Sequence, residues 1–153
     1  MPIAIFSARK RPGFPIFAFI VDSPSTFTFD RNERLKSRKI IASLFKKGQS
    51  FVAYPLRVIW VVSIAGEQGR ATVSISVSKR LYKTAVQRNR LKRQIREAYR
   101  LQKQEFYEQL EASQQHVSLM ITYIAKEPLP YADISAGVKK LIRKFPFDSL
   151  REP

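Results

Sequence analysis

The chain has 153 residues, enough for one domain with a core, and 44% of them are hydrophobic. Its 28 Lys and Arg against 12 Asp and Glu give a net charge of +16, which favours nucleic acid as the partner, with an anionic membrane surface second. The lack of cysteine excludes disulfides and thiolate metal sites. The sequence contains no run of about 18 apolar residues, so no membrane span is predicted.

The first 25 residues are predicted to form a flexible N-terminal extension. The basic triplet 9–11 precedes the apolar run 14–21, an order typical of a signal peptide. Pro15 interrupts that run, however, and a polar segment begins at Asp22, where a small-residue cleavage site would lie. We therefore interpret the segment as an extension and expect a cytoplasmic protein; docking on the body and a start codon assigned too early are the alternatives.

The segment 31–47 is predicted to be a helix. Asp30 or Asn32 can cap it, Glu33 lies in its first turn, and Gly48 ends it. Its apolar face comprises Ile41, Leu44 and Phe45.

Two alternating stretches predict strands that pair as an antiparallel hairpin. The first, within 51–65, is rich in β-branched and aromatic residues, and Pro55 indicates a strand that begins after it or lies at an edge. The second, 71–78, has one apolar face and one hydroxyl face. The segment 66–69 is the predicted turn.

The segment 77–100 is the most basic stretch, and most of it predicts one helix whose pattern continues through Leu110 and fades near Ser113. At 100° per residue, one arc is apolar and comprises Leu91, Ile95, Ala98 and Tyr99. The adjoining arc is polar and comprises Asn89, Lys92, Arg93, Arg96 and Arg100. Arg88 projects within the apolar arc at the helix start, and Arg90 lies beyond the basic arc.

This helix repeats like charges at four-residue spacing, which destabilises it unless a polyanion neutralises them. Arginine outnumbers lysine here, and guanidinium groups bind phosphate oxygens bidentately. We therefore interpret the arc as a phosphate-binding surface, with a merely solvated surface as the alternative.

Two elements follow. The segment 117–125 predicts a strand, and His116 before it is interpreted as structural. Asp133 or Ser135 is predicted to cap a last helix, and this helix is predicted to end at 145–146. The core face of that helix is expected to comprise Ile134, Val138, Leu141 and Ile142.

Two linked motifs, Ser-Val-Ser-Lys-Arg at 76–80 and the segment 85–100 with its core Arg-Asn-Arg at 88–90, resemble the signature of the bacterial ribonuclease P protein component. The segment 34–48 is similar to that family's first helix, and 54–57 to its first strand. The family often has a glycine in the loop before the basic helix, whereas 81–84 has none.

The resemblance implies an α+β fold, a two-layer α/β sandwich in the order helix-strand-strand-strand-helix-strand-helix, with a left-handed crossover around the basic helix. That hand comes from the resemblance alone, because the default crossover is right-handed. The single RNA-binding domain is expected over 26–147, followed by a tail at 148–153.

The resemblance also implies a subunit of ribonuclease P, the enzyme that removes the 5′ leader of precursor tRNA. There the RNA subunit performs the hydrolysis with Mg²⁺ held by RNA and substrate, so we expect no catalytic residue, metal or cofactor on the protein. The scattered acidic residues agree, since no close pair is placed for two-metal chemistry. The expected partners are the catalytic RNA and precursor tRNA, with no membrane and no protein partner.

Two RNA surfaces are implied. The basic helix would bind the catalytic RNA by phosphate neutralisation and shape, through Arg88, Asn89, Arg90, Lys92, Arg93, Arg96 and Arg100. A cleft between the first helix and the sheet would hold the single-stranded leader. Its candidates are Arg34, Lys36, Arg38, Ile41, Phe45, Arg57, Ile59 and Lys79. Core packing is the alternative for the apolar candidates, and a solvated surface is the alternative for Lys36 and Arg38.

Three other classes remain open. A structural ribosomal protein would share the charge but not the ordered motifs. A protein-only nuclease would need grouped acidic residues. A DNA-binding helix-turn-helix would need a short helix beside the basic one, where the sequence predicts a hairpin.

Overall fold

The computed structural model describes residues 28–63 and 71–150. In these ranges three α-helices and four strands follow one another in the predicted order, which confirms the α+β class. The predictions for 1–25 and for the turn 66–69 lie outside the described residues. The elements are α1 (Arg38–Lys47), β1 (Gln49–Ala53), β2 (Leu56–Val62), β3 (Ala71–Val77), α2 (Ala85–Ser113), β4 (Val117–Tyr123) and α3 (Tyr131–Lys144).

The four strands form one mixed sheet in the order β1-β2-β4-β3. β2 is antiparallel to β1 and β4, whereas β3 is parallel to β4. The predicted hairpin between β2 and β3 is therefore wrong, because β4 lies between them. Alternation shows which side chains share a face, but it does not identify the neighbouring strand. The hairpin partner of β2 is β1, and β2 begins directly after Pro55, as predicted.

Helices cover both faces of the sheet. α2 and α3 pack against one face, where the larger core lies, and α1 packs against β2 and β4 on the other. The smaller core under α1 contains Leu35, Leu44 and Met120, with Ile59 packed beside them. α2 connects the parallel strands β3 and β4. Its buried apolar residues, from Leu91 to Leu110, belong to the larger core, which holds the basic helix along most of its length.

The helix predicted over 31–47 is shorter in the structure. Arg31–Glu33 forms one turn of 3₁₀-helix, and α1 begins at Arg38. Between them the chain is extended: Arg34 bridges Val73 in parallel, and the Leu35 N–H donates to the Val73 carbonyl over 3.0 Å. An open strand edge offers unpaired backbone groups, and at β3 these outweigh local helix propensity. Gly48 ends α1, as predicted.

The last helix presents the predicted face to the core. Ile134, Val138, Leu141 and Ile142 are all buried. The predicted caps are wrong, since α3 begins at Tyr131 and Pro130 occupies the cap position. Proline suits this place because its fixed φ is compatible with a helix start and its missing N–H is not needed there.

Candidate nucleic-acid interface

The basic surface of α2 lies next to its buried face, as the periodicity predicted. Leu91, Ile95, Ala98 and Tyr99 are at most 2% exposed and hold the helix on the sheet. On the adjoining side Asn89 and Arg93 are exposed, and Lys92, Arg96 and Arg100 are half-buried. We call these five residues the basic face. Because the core fixes the helix, the four cations of the basic face are held rigidly beside Asn89.

Most charges of this surface have no carboxylate partner among the residues that the structure describes. Among the described residues, none of Lys92, Arg93 and Arg96 forms an ion pair, and the Nε of Arg96 is buried without a hydrogen-bond partner. Arg100 differs, since its guanidinium lies 2.6 Å from Glu97 and lowers the pKa of that carboxyl through a hydrogen bond. Unpaired arginines held in a row favour an external anion.

Arg88 has a partner inside the protein. Its guanidinium donates to the carbonyl oxygens of Tyr82 and Lys83, over 2.8 and 2.7 Å. Both carbonyls belong to the loop before α2. Arg88 therefore holds the loop 81–84 in place, which lacks the glycine often found there in the family. The loop is also held by Tyr82, which is buried and donates its hydroxyl to the Ala125 carbonyl over 2.8 Å. The periodicity gave no signal for Tyr82, because it lies outside any helix or strand.

Arg90 lies apart from the basic face. It lines a groove formed with Gln87, Leu91, Gln94 and the start of α3. This agrees with the prediction that Arg90 projects beyond the basic arc. The seven residues predicted for the catalytic RNA thus have three settings: five on the basic face, Arg88 at the loop, and Arg90 in the groove.

A second surface lies on the opposite side of the sheet, beside α1. Arg57 and Ile59 alternate on the face of β2 that α1 partly covers, in register with Thr122 and Met120 of β4. Arg57 is exposed and Ile59 half-buried. From α1, Ile41 is half-buried and packs on the small core, while Phe45 is 66% exposed. We call Ile41, Phe45, Arg57 and Ile59 the α1 cleft.

The other predicted leader residues surround this cleft or lie away from it. Lys36 and Arg38 are exposed at the start of α1, and Lys79 is exposed in the turn after β3. Arg34 is not in the cleft, since its guanidinium lies 5.7 Å from the centre of the Phe29 ring, and Phe29 packs against Tyr99 of α2. The structure therefore separates Arg34 from the α1 cleft by the edge of β3.

Val52 also lies at the cleft, where no sequence pattern predicts a functional residue. Val52 lies opposite Arg57 in the ladder between β1 and β2, and it is 49% exposed. An apolar residue in a strand is normally expected to be buried, so the exposure of Val52 follows only from the position of β1 at the edge of the sheet.

No group of three acidic or histidine residues close enough to hold a metal ion occurs in the ranges 28–63 and 71–150. His116 is half-buried directly before β4, and its carbonyl accepts the Ser63 N–H over 2.8 Å. No helix within those ranges is long and apolar enough to cross a bilayer.

Comparison with known proteins identifies the family. The ribonuclease P family model matches residues 29–145. The ribonuclease P protein component of Porphyromonas gingivalis is 34% identical over 122 residues, which cover 79% of this chain and 89% of that protein. The one from Clostridioides difficile is 31% identical over 116 residues, covering 76% and 94%.

Solved structures share the fold. The RNase P protein of Staphylococcus aureus has a TM-score of 0.56 at 24% identity, covering 72% of this chain and 93% of its own. That of Thermotoga maritima has a TM-score of 0.59 at 20% identity, covering 74% and 97%. The sequence matches extend over the two motifs and the sheet that positions them, and so the chain belongs to the ribonuclease P protein family.

Proposed function

We propose that this chain acts as the protein subunit of ribonuclease P by binding two RNAs on opposite sides of its sheet. The basic face of α2 binds the catalytic RNA, and the α1 cleft binds the 5′ leader of precursor tRNA. The observation that carries the proposal is the row of cations on a rigid helix with no carboxylate partner for Lys92, Arg93 or Arg96 among the described residues.

The basic face suits a folded RNA better than a specific base sequence. Its guanidinium and ammonium groups neutralise phosphates, and folded RNA presents phosphates in a fixed shape while hiding its base edges. Because α2 is anchored by buried residues, binding costs little ordering of the backbone. Affinity thus comes from charge and shape.

The α1 cleft suits an unpaired strand. The guanidinium of Arg57 can follow the phosphate backbone, and the exposed ring of Phe45 can stack on a base of any identity. Lys36, Arg38 and Lys79 lie outside the small core and extend the cation path. Such a surface tolerates leaders of different sequence, since stacking and charge do not depend on base edges.

The chemistry belongs to the RNA in this proposal. We place the Mg²⁺ ions of the reaction on the RNA and the substrate, as the resemblance implies, and assign no metal ligand to the protein. The protein positions the leader and reduces repulsion between two polyanions, which lowers the Mg²⁺ concentration needed. The proposed place of action is the cytoplasm.

Reconstitution tests the function. The full chain is added to a bacterial ribonuclease P RNA, and 5′ cleavage of precursor tRNA is measured at low Mg²⁺. We expect cleavage only when RNA and protein are both present. A variant with Lys92→Ala, Arg93→Ala and Arg96→Ala should fail to stimulate, whereas Lys139→Ala, which changes an exposed cation of α3, should not differ from the parent.

Two outcomes would contradict the proposal: cleavage by the protein without RNA, and full stimulation by the triple variant. Co-purification with ribosomes and no effect on cleavage would instead support a structural ribosomal protein.

A further inference from the structure

A groove separates the first half of α2 from the segment that leads into α3. It encloses about 540 Å³, within the range typical of small-molecule sites. It lies beyond the basic face and on the side of the sheet away from the α1 cleft. The side chains that give it its chemistry are Gln87, Arg90, Leu91, Gln94, Leu129 and Tyr131.

The side chains of this groove are of the kinds that bind a nucleotide. Leu91 is buried and Leu129 half-buried, and together they provide an apolar floor. Tyr131, a residue that is 38% exposed, contributes an aromatic ring to the groove. Aromatic rings stack on unpaired bases, amide side chains can read base edges, and guanidinium groups bind phosphate.

The polar groups of the groove are available to a ligand. Within the described parts of the chain, the side chains of Gln87, Arg90 and Gln94 have no hydrogen-bond or ion-pair partner. Arg90 is the cation of the groove, so an anionic ligand is favoured over a neutral or cationic one. The net charge of +16 adds to this preference.

The wall of the groove is held in place by two buried tyrosines. Tyr123 donates its hydroxyl to the Glu127 carbonyl over 2.8 Å and accepts the Leu129 N–H over 2.9 Å. Tyr82 packs edge-on against Tyr123, with 5.8 Å between ring centres, and bonds to the Ala125 carbonyl. A wall that is already ordered costs little conformational entropy when a ligand binds.

We propose that this groove binds one unpaired nucleotide of the RNA partner, with its base against Tyr131 and its phosphate on Arg90. The inference rests on the proposed function, because it takes RNA as the partner, and it adds a third RNA contact. The nucleotide belongs either to the catalytic RNA or to precursor tRNA, and the two sources give the same chemistry.

Two titrations distinguish the sources. One measures the dissociation constant of the full chain for a bacterial ribonuclease P RNA, and the other that of the assembled enzyme for precursor tRNA. In one of them, Tyr131→Ala should weaken binding about 5- to 100-fold, the range for loss of one base–aromatic stack. The slope of log affinity against log salt should not change, because no charge is removed, whereas Arg90→Ala should reduce it by about one.

Three further variants act as controls. Tyr131→Phe keeps the ring and should bind like the parent, and Leu101→Ala, on the same helix outside the groove, should have no effect. Gln87→Ala with Gln94→Ala should weaken binding even if Tyr131→Ala proves unstable.

The groove proposal is overturned if the parent binds both RNAs and neither the Tyr131→Ala variant nor the double glutamine variant weakens either complex. A parent chain that binds neither RNA would instead refute the proposed function, and the groove proposal with it.

Discussion

Lys103 and Glu33 form a buried ion pair, with 2.5 Å between Nζ and Oε1 and side chains that are only 4% and 5% exposed. The same carboxylate accepts the Tyr107 hydroxyl over 2.8 Å and the Asp30 N–H over 2.8 Å, and Lys103 also donates to the Thr28 carbonyl. These contacts attach the segment before α1 to the second half of α2. Burial, with the nearby Glu33 charge, also raises the pKa of Tyr107 well above its usual range.

Breaking this pair should destabilise the fold. In Lys103→Met the Glu33 carboxylate stays buried without its cation, and we expect a loss of about 3–5 kcal/mol in the free energy of unfolding. Urea unfolding of the full chain measures it. The matched control is Glu97→Gln, which breaks the exposed pair with Arg100 and should hardly move the midpoint.

The double variant Glu33→Leu with Lys103→Met should recover most of the lost stability, because no isolated charge remains. If Lys103→Met were as stable as the Glu97→Gln control, the pair would not be isolated from water as its burial indicates.

Substitutions of Arg88 and Arg93 should distinguish an effect on stability from an effect on RNA binding. Arg88→Ala removes two hydrogen bonds to the loop carbonyls and should lower stability by about 1–3 kcal/mol. Arg93→Ala removes an exposed side chain with no partner in the described chain, so it should leave the melting temperature unchanged and weaken binding to the catalytic RNA. Melting curves and RNA titrations of both variants test this, and equal melting temperatures would contradict the bracing role of Arg88.

Assembly with the catalytic RNA should depend steeply on salt. If the protein contacts about 6–10 phosphates, affinity falls about 10³–10⁵-fold between 50 and 200 mM salt. Titrating the RNA at several salt concentrations gives the slope. Replacing Lys92, Arg93 and Arg96 together should reduce the slope by about three, whereas a flat response in the parent would contradict binding by the basic face.

Substitutions of two neighbouring residues on α1 should affect different properties, one RNA binding and the other stability. Phe45→Ala removes an exposed ring and should weaken precursor tRNA binding to the assembled enzyme about 5- to 100-fold without a change in stability. Leu44→Ala removes a side chain that is 1% exposed and should cost about 2–5 kcal/mol of stability. Gel-shift titrations and urea unfolding distinguish the two, and a strong loss of stability in Phe45→Ala would make that ring structural.

Stability should fall in strongly alkaline solution. Burial raises the pKa of Tyr82 to about 12 from its ordinary value of 10.0. The unfolded state therefore releases its proton first, so the contribution of Tyr82 is complete below pH 10 and is lost as the pH rises to about 12. Burial also raises the pKa of Tyr99 and Tyr123, and these groups act in the same direction.

Melting temperatures between pH 9 and 12 check this dependence. Tyr82→Phe loses the bond to Ala125 and should melt lower at neutral pH, but its decline above pH 10 should be shallower. Parallel curves for the parent and the variant would show that Tyr82 does not contribute to the alkaline loss.

The sequence by itself determined the helical faces and the charge. α2 and α3 bury the predicted residues because a period of 3.6 directly reports which side chains share a side. The two motifs also indicate the family, since motif order along the chain does not depend on folding. The existence of β2, β3 and β4 followed from local composition in the same way.

Only the tertiary structure decided which elements meet. β4 lies between β2 and β3 in the sheet. The segment at Arg34 and Leu35 pairs with the edge of β3 instead of continuing the predicted helix, and Arg88 donates to the loop carbonyls. Glu33, expected in a helix turn, became the buried partner of Lys103, which is 70 residues away along the chain. The strand order and the pairs Leu35–Val73 and Glu33–Lys103 join distant segments, whereas Arg88 contacts carbonyls only five and six residues before it. Local periodicity carries no information about which backbone or side chain will satisfy a buried polar group.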